Sequence, residues 1–240
     1  SPTGMTPPRM EAPTNTRKRV LVVYYSFSSQ TNNLVLALCS GLEKEDISVV
    51  RERLVTAQPL RFPIGSIGGT LRMMVETFLR KRLTIEPISP SCFDNYDLII
   101  LAGPTWSYNP RGPVLSLFDR DGRQLFRDQL VLPLISCRGY WRVHWWGLKN
   151  LLRGCGARVV NVMVFSHPNP EPWRTIGVFL KLAGRIPEKK SWFAGKYRKY
   201  GHTTKQIKEA RHFGQMIGSE LAEGGDNLHQ LKFTTTIARP

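Results

Sequence analysis

The strongest constraint on how this chain folds is a recurring pattern. A short, β-branched apolar run empties into a small polar turn, and a helix-like segment follows at once. Its first instance is Val20-Leu21-Val22-Val23-Tyr24-Tyr25, followed by Ser26-Phe27-Ser28-Ser29-Gln30-Thr31-Asn32-Asn33. A strand buried on both faces reads as a continuous apolar run, and parallel strands of that kind are joined by helical crossovers. The helix that starts at the carboxyl end of such a strand has first-turn N–H groups with no partner inside it. Those donors, the positive end of the helix dipole and the nearby hydroxyls together suit a phosphate monoester. No Lys or Arg stands between Ser26 and Asn33, unlike a phosphate loop built around a lysine. A Ser/Thr-rich turn that only caps a helix gives the same local pattern.

The pattern returns at Tyr96–Ala102, which leads into Gly103-Pro104-Thr105-Trp106-Ser107-Tyr108-Asn109-Pro110 and a helix-like Val114–Asp119. It returns again at Leu130–Ser136, which leads into Cys137-Arg138-Gly139-Tyr140-Trp141. With a run near 47–53 and another near 157–165, five strands alternate with helical segments. That alternation predicts an α/β fold with a doubly wound, five-stranded parallel sheet.

Ser26-Phe27-Ser28-Ser29-Gln30-Thr31 resembles the FMN-phosphate loop of the flavodoxin-like family, T/S-x-T/S-G-x-T, with Ser29 where glycine is usual. Gly103-Pro104-Thr105-Trp106 is similar to that family's G-x-P-x-[WY] loop after the third strand, which lies along the flavin ring. The resemblance runs from Val20 to about His167 and resumes in a final helix near Thr203–Glu223. It implies strand order 2-1-3-4-5, with the ligand at the switch point between the first and third strands. It also implies FMN as cofactor. Ser26, Ser28, Ser29, Gln30, Thr31 and Asn32 would hold the phosphate; Pro104, Thr105, Trp106, Ser107 and Tyr108 would line the ring; Ser136, Cys137, Arg138 and Gly139 would form a third loop. Trp106 and Tyr108 suit stacking on a flat ring, although a tryptophan filling a core gap reads the same way in sequence.

Around this frame, Ser1–Arg17 reads as a disordered segment without a signal-peptide core, and the domain is expected over 18–225, with 226–240 as a C-terminal tail. Two insertions are expected. The first, 56–90, carries Leu71, Met74, Val75, Phe78 and Leu79 at helical spacing, with Gly65–Gly69 as a flexible lead into it. The second, 168–202, mixes Trp173, Trp192, Phe193, Tyr197 and Tyr200 with many basic residues. Loops in these places build pockets and lids, or serve as plain decoration or a dimer contact. Thr203 with Gln206 matches a capping box, and Ile207, Ala210, Gly214, Ile217 and Leu221 share one helix face. Cys39, Cys92, Cys137 and Cys155 have no C-x-x-C spacing, which fits a reduced, cytoplasmic chain and no metal site.

Charge narrows the function. The chain carries 34 Lys+Arg against 18 Asp+Glu, a net of +16. Electron-shuttling flavodoxins are typically acidic, so this balance points instead to anionic partners: NADPH or NADH, an acyl-carrier or coenzyme A thioester, or an acidic membrane surface. Basic residues are dispersed and form no nucleic-acid motif, which disfavours nucleic acid. The resemblance therefore implies an FMN-dependent oxidoreductase that moves a hydride between flavin N5 and a small or carrier-bound cyclic substrate of aromatic or dione type. The turn Asn169–Thr175 and the late Lys199-Tyr200-Gly201-His202 are similar to the flavodoxin-like group of dialkylresorcinol-condensing enzymes, which implies biosynthetic work on a lipid-tailed ring. His144 and Tyr140 are the candidate proton-handling residues, with Tyr108 and His167 as further options and Trp141, Trp145 and Trp146 as an aromatic surround. The alternative is a flavodoxin-like partner protein that docks through its basic face without turnover. A homodimer stays open.

Overall fold

In the computed structural model, which describes residues 17–58, 63–79, 81–106, 109–110, 112–137, 141–167, 173–186 and 202–235, the first apolar run is a central strand. β1 (Arg19–Tyr24) has β2 (Ser48–Arg53) on one side and β3 (Leu98–Trp106) on the other, both parallel to it. β4 (Asn109–Pro110) folds back antiparallel on the end of β3. β5 (Leu130–Cys137) pairs with β3, and β6 (Arg158–Val159) and β7 (Met163–Ser166) both pair with β5. The order is therefore β2-β1-β3-β5 followed by a position shared by β6 and β7, which is 2-1-3-4-5 when only the parallel positions are counted.

That shared position departs from the single strand expected over 157–165. The break falls at Asn161, whose side chain turns away from the sheet. Its amide donates to the carbonyls of Leu228 (3.0 Å) and Leu231 (2.8 Å), and its Oδ1 accepts from the N–H of Val162 (2.9 Å). A polar side chain with three such bonds competes with the ladder and wins locally.

Both faces of the sheet are covered, as the unbroken apolar runs require. Val20, Val22, Ile100 and Leu132 face a layer made of α1 (Gln30–Lys44) and α6 (Thr204–Ala222). Leu21, Val23, Ile99 and Val131 face the opposite layer, which includes α3 (Gly112–Phe126) and α4 (Trp141–Gly154). α1 and α6 cross through two glycines. A Cβ on Gly41 would stand 2.0 Å from the Arg211 carbonyl oxygen, and one on Gly214 would stand 2.1 Å from that of Leu38. The capping box at Thr203 and Gln206 is present in full.

The insertion over 56–90 is pinched at its base, where Thr56 bridges Ile85. Its helix α2 (Ile67–Phe78) begins earlier than expected, and takes in Gly68 and Gly69. Ser66 explains the difference. Its Oγ accepts from the N–H of Gly69 (3.0 Å), and its carbonyl accepts from the N–H and Oγ1–H of Thr70. This cap offsets the poor helix propensity of the glycines. α2 packs on α5 (Trp173–Leu182), where Met73 and Met74 meet Val178 and Leu182. The expected disordered stretch lies outside the described residues as far as residue 16, as does most of 168–202.

Candidate functional site

The strands end in register, which brings their outgoing loops together. Tyr25 N–H donates to the Ala102 carbonyl, Pro104 lies opposite Ser136, and Cys137 lies opposite Ser166. A cleft open to solvent forms over these carboxyl ends. Ser28, Gln30, Thr31, Pro104, Thr105, Ser136 and Cys137 line it, together with Phe27, His167 and Val178. Three loops chosen from sequence thus meet in one place, at the switch point of the sheet.

The first loop is organised around its own hydroxyls. Buried Ser26 accepts from the N–H of Asn32 (3.2 Å), and Tyr24 donates its hydroxyl to Asn32 Oδ1 (3.1 Å). The N–H of Asn33 reaches the Ser29 carbonyl (3.0 Å). The N–H groups of Gln30 and Thr31 have no intrahelical acceptor, as in any first turn. Both residues line the cleft. Ser26 and Asn32 therefore shape the loop, while Ser28, Gln30 and Thr31 face the space. A cation arrives from a neighbouring strand: an Arg53 guanidinium nitrogen lies 3.4 Å from the Ser26 carbonyl oxygen.

Ser29 sits at φ 63°, ψ −5°, in the left-handed region, and its side chain makes no cap. The residue standing in the usual glycine position thus keeps the glycine conformation. Holding a non-glycine residue there costs about 1–2 kcal/mol, partly offset by the greater chain entropy that glycine loses on folding. Ser29→Gly is expected to raise stability by about 0.5–1 kcal/mol, and Ser29→Val to lower it. Urea unfolding midpoints for the two variants check both signs.

In the second loop, Pro104 and Thr105 line the cleft, and Trp106 pairs through its backbone with Asn109. The side chain of Trp106, with Ser107 and Tyr108, lies outside the described residues, so the stacking expectation is carried forward from sequence only. Thr105 is buried, and its hydroxyl bonds Nδ1 of His144. His144 itself is 2% exposed, on α4, and is not among the cleft-lining side chains. It stands behind Thr105.

The expected aromatic surround separates along α4. Trp141 and Trp145 pack against the core, Trp146 is 70% exposed, and none of them lines the cleft. Helical spacing points neighbours in sequence to different sides. Arg138, Gly139 and Tyr140 lie outside the described residues.

The third loop holds the most developed polar network. Ser136 Oγ is 2.8 Å from Nε2 of His202, and Nδ1 of that ring is 3.3 Å from Gln206 Oε1. Gln206 Oε1 also accepts from the N–H of Thr203 (3.0 Å), while its amide donates to the Ser166 carbonyl (2.6 Å). Both of those bonds orient Gln206 with its oxygen toward the ring, so Nδ1 carries the proton and Nε2 accepts from the Ser136 hydroxyl. Burial pushes the His202 pKa down from 6.5 to about 4, against the supporting bonds from Gln206 and Ser166. With its hydrogen committed to His202, Ser136 offers lone pairs to the cleft. His202 had entered the sequence reading only through a resemblance, and Gln206 only as a helix cap. One signal was available, because a polar capping residue next to a histidine is well placed to hold its ring. Arg53, Phe27 and Val178 had no signal of their own.

Comparison with known proteins bears on the fold. The sequence matches no protein-family model and no curated protein. Among solved structures, a candidate flavoprotein from Bacteroides eggerthii superposes with a TM-score of 0.50 at 15% identity, over 70% of this chain and 99% of that one. A Lactobacillus acidophilus flavoprotein in complex with FMN gives 0.49 at 18% identity, over 61% and 93%. A flavodoxin from the domain Archaea gives 0.45 at 14%, over 85% and 98%. The strand order and the B. eggerthii structure describe an α/β chain of flavodoxin-like fold.

Proposed function

We propose that this chain is an FMN-dependent oxidoreductase acting on a cyclic, aromatic or dione-type substrate. The observation that carries the reading is the convergence of the loops after β1, β3 and β5 on one cleft at the switch point. The donor set there fits the group: hydroxyls and first-turn N–H groups with no cation inside the loop, and Arg53 beside it. The B. eggerthii neighbour, itself a candidate flavoprotein, supports the same reading.

In this reading the N–H groups of Gln30 and Thr31 and the hydroxyls of Ser28 and Thr31 bind the phosphate, helped by the dipole of α1. Pro104, Thr105 and the segment after them border the ring. FMN, when bound, supplies hydride transfer at N5. Ser136 accepts a hydrogen bond from a donor in the cleft, because His202 holds its own hydrogen. His144 acts by fixing the Thr105 hydroxyl, and His167, which lines the cleft, is the better-placed proton carrier. Phe27 and Val178 supply an apolar wall suited to a lipid-tailed ring of the dialkylresorcinol type, in a biosynthetic role. NADPH or NADH is the reductant in this scheme, drawn by the basic surface, and the setting is a reducing cytoplasm that keeps four free cysteines.

Titration with FMN and with riboflavin tests the phosphate assignment. FMN is expected to bind at least about tenfold more tightly, and Thr31→Ala to erase most of that difference. Equal affinity for the two flavins would overturn the loop assignment, and no binding of either would overturn the flavoprotein reading. Bleaching of the bound flavin by NADPH or NADH then separates turnover from a partner protein that only holds the cofactor.

A further inference from the structure

α2 carries a stripe of large apolar residues that faces water. Ile67, Leu71, Val75 and Phe78 are 54%, 56%, 50% and 61% exposed, and Leu79 just beyond is 71% exposed. Their spacing of four, four and three residues places them on one side of the helix. The opposite side is already used, since Met73 and Met74 pack on Val178 and Leu182 of α5. Single exposed apolar residues are ordinary, but a contiguous row along one helix marks a contact surface.

Charge selects the occupant. Arg72 and Lys81 both pair with Glu76, a trio with one net positive charge. The chain as a whole carries +16. From the last turn of α5 onward, the sequence from Lys181 to Lys199 holds Lys181, Arg185, Lys189, Lys190, Lys196, Arg198 and Lys199 against the single acid Glu188. A second copy of this chain would bring like charge to like charge. An apolar stripe on a chain of so basic a sequence suits the headgroup region of an anionic bilayer, where each Lys or Arg adds about 1 kcal/mol. Among the described residues no helix is long and apolar enough to cross a membrane, so the contact lies on the surface.

We infer that the α2 stripe docks this protein on an anionic lipid surface. The docked element packs against a wall of the cleft, because Phe27 and Val178, which share an apolar cluster with Met73 and Met74 of α2, also belong to the cleft lining. A substrate dissolved in the lipid would then reach the cleft along the apolar seam between α2 and Phe27.

Vesicle sedimentation tests the docking and needs no flavin, so its outcome is independent of whether FMN binds. The full chain is expected to sediment with phosphatidylcholine vesicles containing phosphatidylserine, and to be released by salt. Leu71→Gln combined with Val75→Gln should reduce the bound fraction at least about tenfold, with an unchanged circular dichroism spectrum, since both side chains are exposed. Three results would each overturn the inference: no binding to the anionic vesicles, binding unaffected by the double variant, or a dimer in ultracentrifugation that the same variant dissolves. The last would assign the stripe to a second copy.

Discussion

Gly214→Ala is expected to cost about 3 kcal/mol or more, a large part of the 5–15 kcal/mol that holds a typical domain together. The added methyl would stand 2.1 Å from the Leu38 carbonyl oxygen and 3.0 Å from Cα of Gly41. A flexible side chain could move aside, but a helix backbone can retreat only as a body. Gly41→Ala meets the same obstacle from the other side, 2.0 Å from the Arg211 carbonyl. Gly147→Ala on α4 is the control. It lies within a helix with nothing inside 4 Å of its added Cβ, and should gain about 0.5–1 kcal/mol. Urea unfolding of the three variants checks the contrast; a near-neutral Gly214→Ala would mean that the helices can slide. If they do separate, the damage reaches the cleft, because α1 begins at the loop after β1 that lines it and α6 begins beside His202.

Acid is expected to destabilise the protein through His202 between about pH 6.5 and pH 4. The direction follows from the lowered pKa. In the folded state the ring stays neutral down to about pH 4, while in the unfolded chain it takes a proton near 6.5. Between those values the unfolded chain binds the extra proton, so stability falls as pH falls. Above 6.5 this loss is absent. The full span from 6.5 to about 4 corresponds to about 3 kcal/mol at most, and partial exposure of the ring reduces it. His202→Gln should flatten that part of the curve of urea midpoint against pH. An unchanged slope in the variant would assign the acid sensitivity to carboxylates instead.

Much of the frame was readable in the sequence because burial on both faces leaves a mark that needs no partner to interpret. Val20–Val23, Ile99–Leu101 and Leu132–Ile135 are apolar throughout, and each became a central strand. The Thr203–Gln206 capping box is local and was equally legible. What sequence could not supply was direction and distance. Helical spacing marked Leu71, Val75 and Phe78 as one face of a helix, but the same spacing describes a face turned to the core or to solvent. His144 sat close in sequence to the third loop, yet a helix carried it behind Thr105. Arg53 reaches the Ser26 carbonyl from β2, and His202 reaches the Ser136 hydroxyl from the start of α6, separations that no local pattern records. Asn161 looked like an ordinary polar residue in a strand, and only its distant carbonyl partners show why the strand stops there.

That break at Asn161 bears on how the sheet is finished at its margin. An open sheet offers unpaired backbone groups at both margins, and such margins recruit other strands. At the β2 margin the outer strand ends in Arg51, Glu52 and Arg53, a charged run that discourages addition. At the other margin the strand is cut into two short pieces, and residues 228–235 close over it. Thr235 donates its hydroxyl to the Val164 carbonyl (2.8 Å), and Phe233 meets Phe213 edge to face at 5.0 Å. The stretch after α6 therefore works as a selvedge, finishing the margin of the sheet so that it cannot be extended or unravelled from that side.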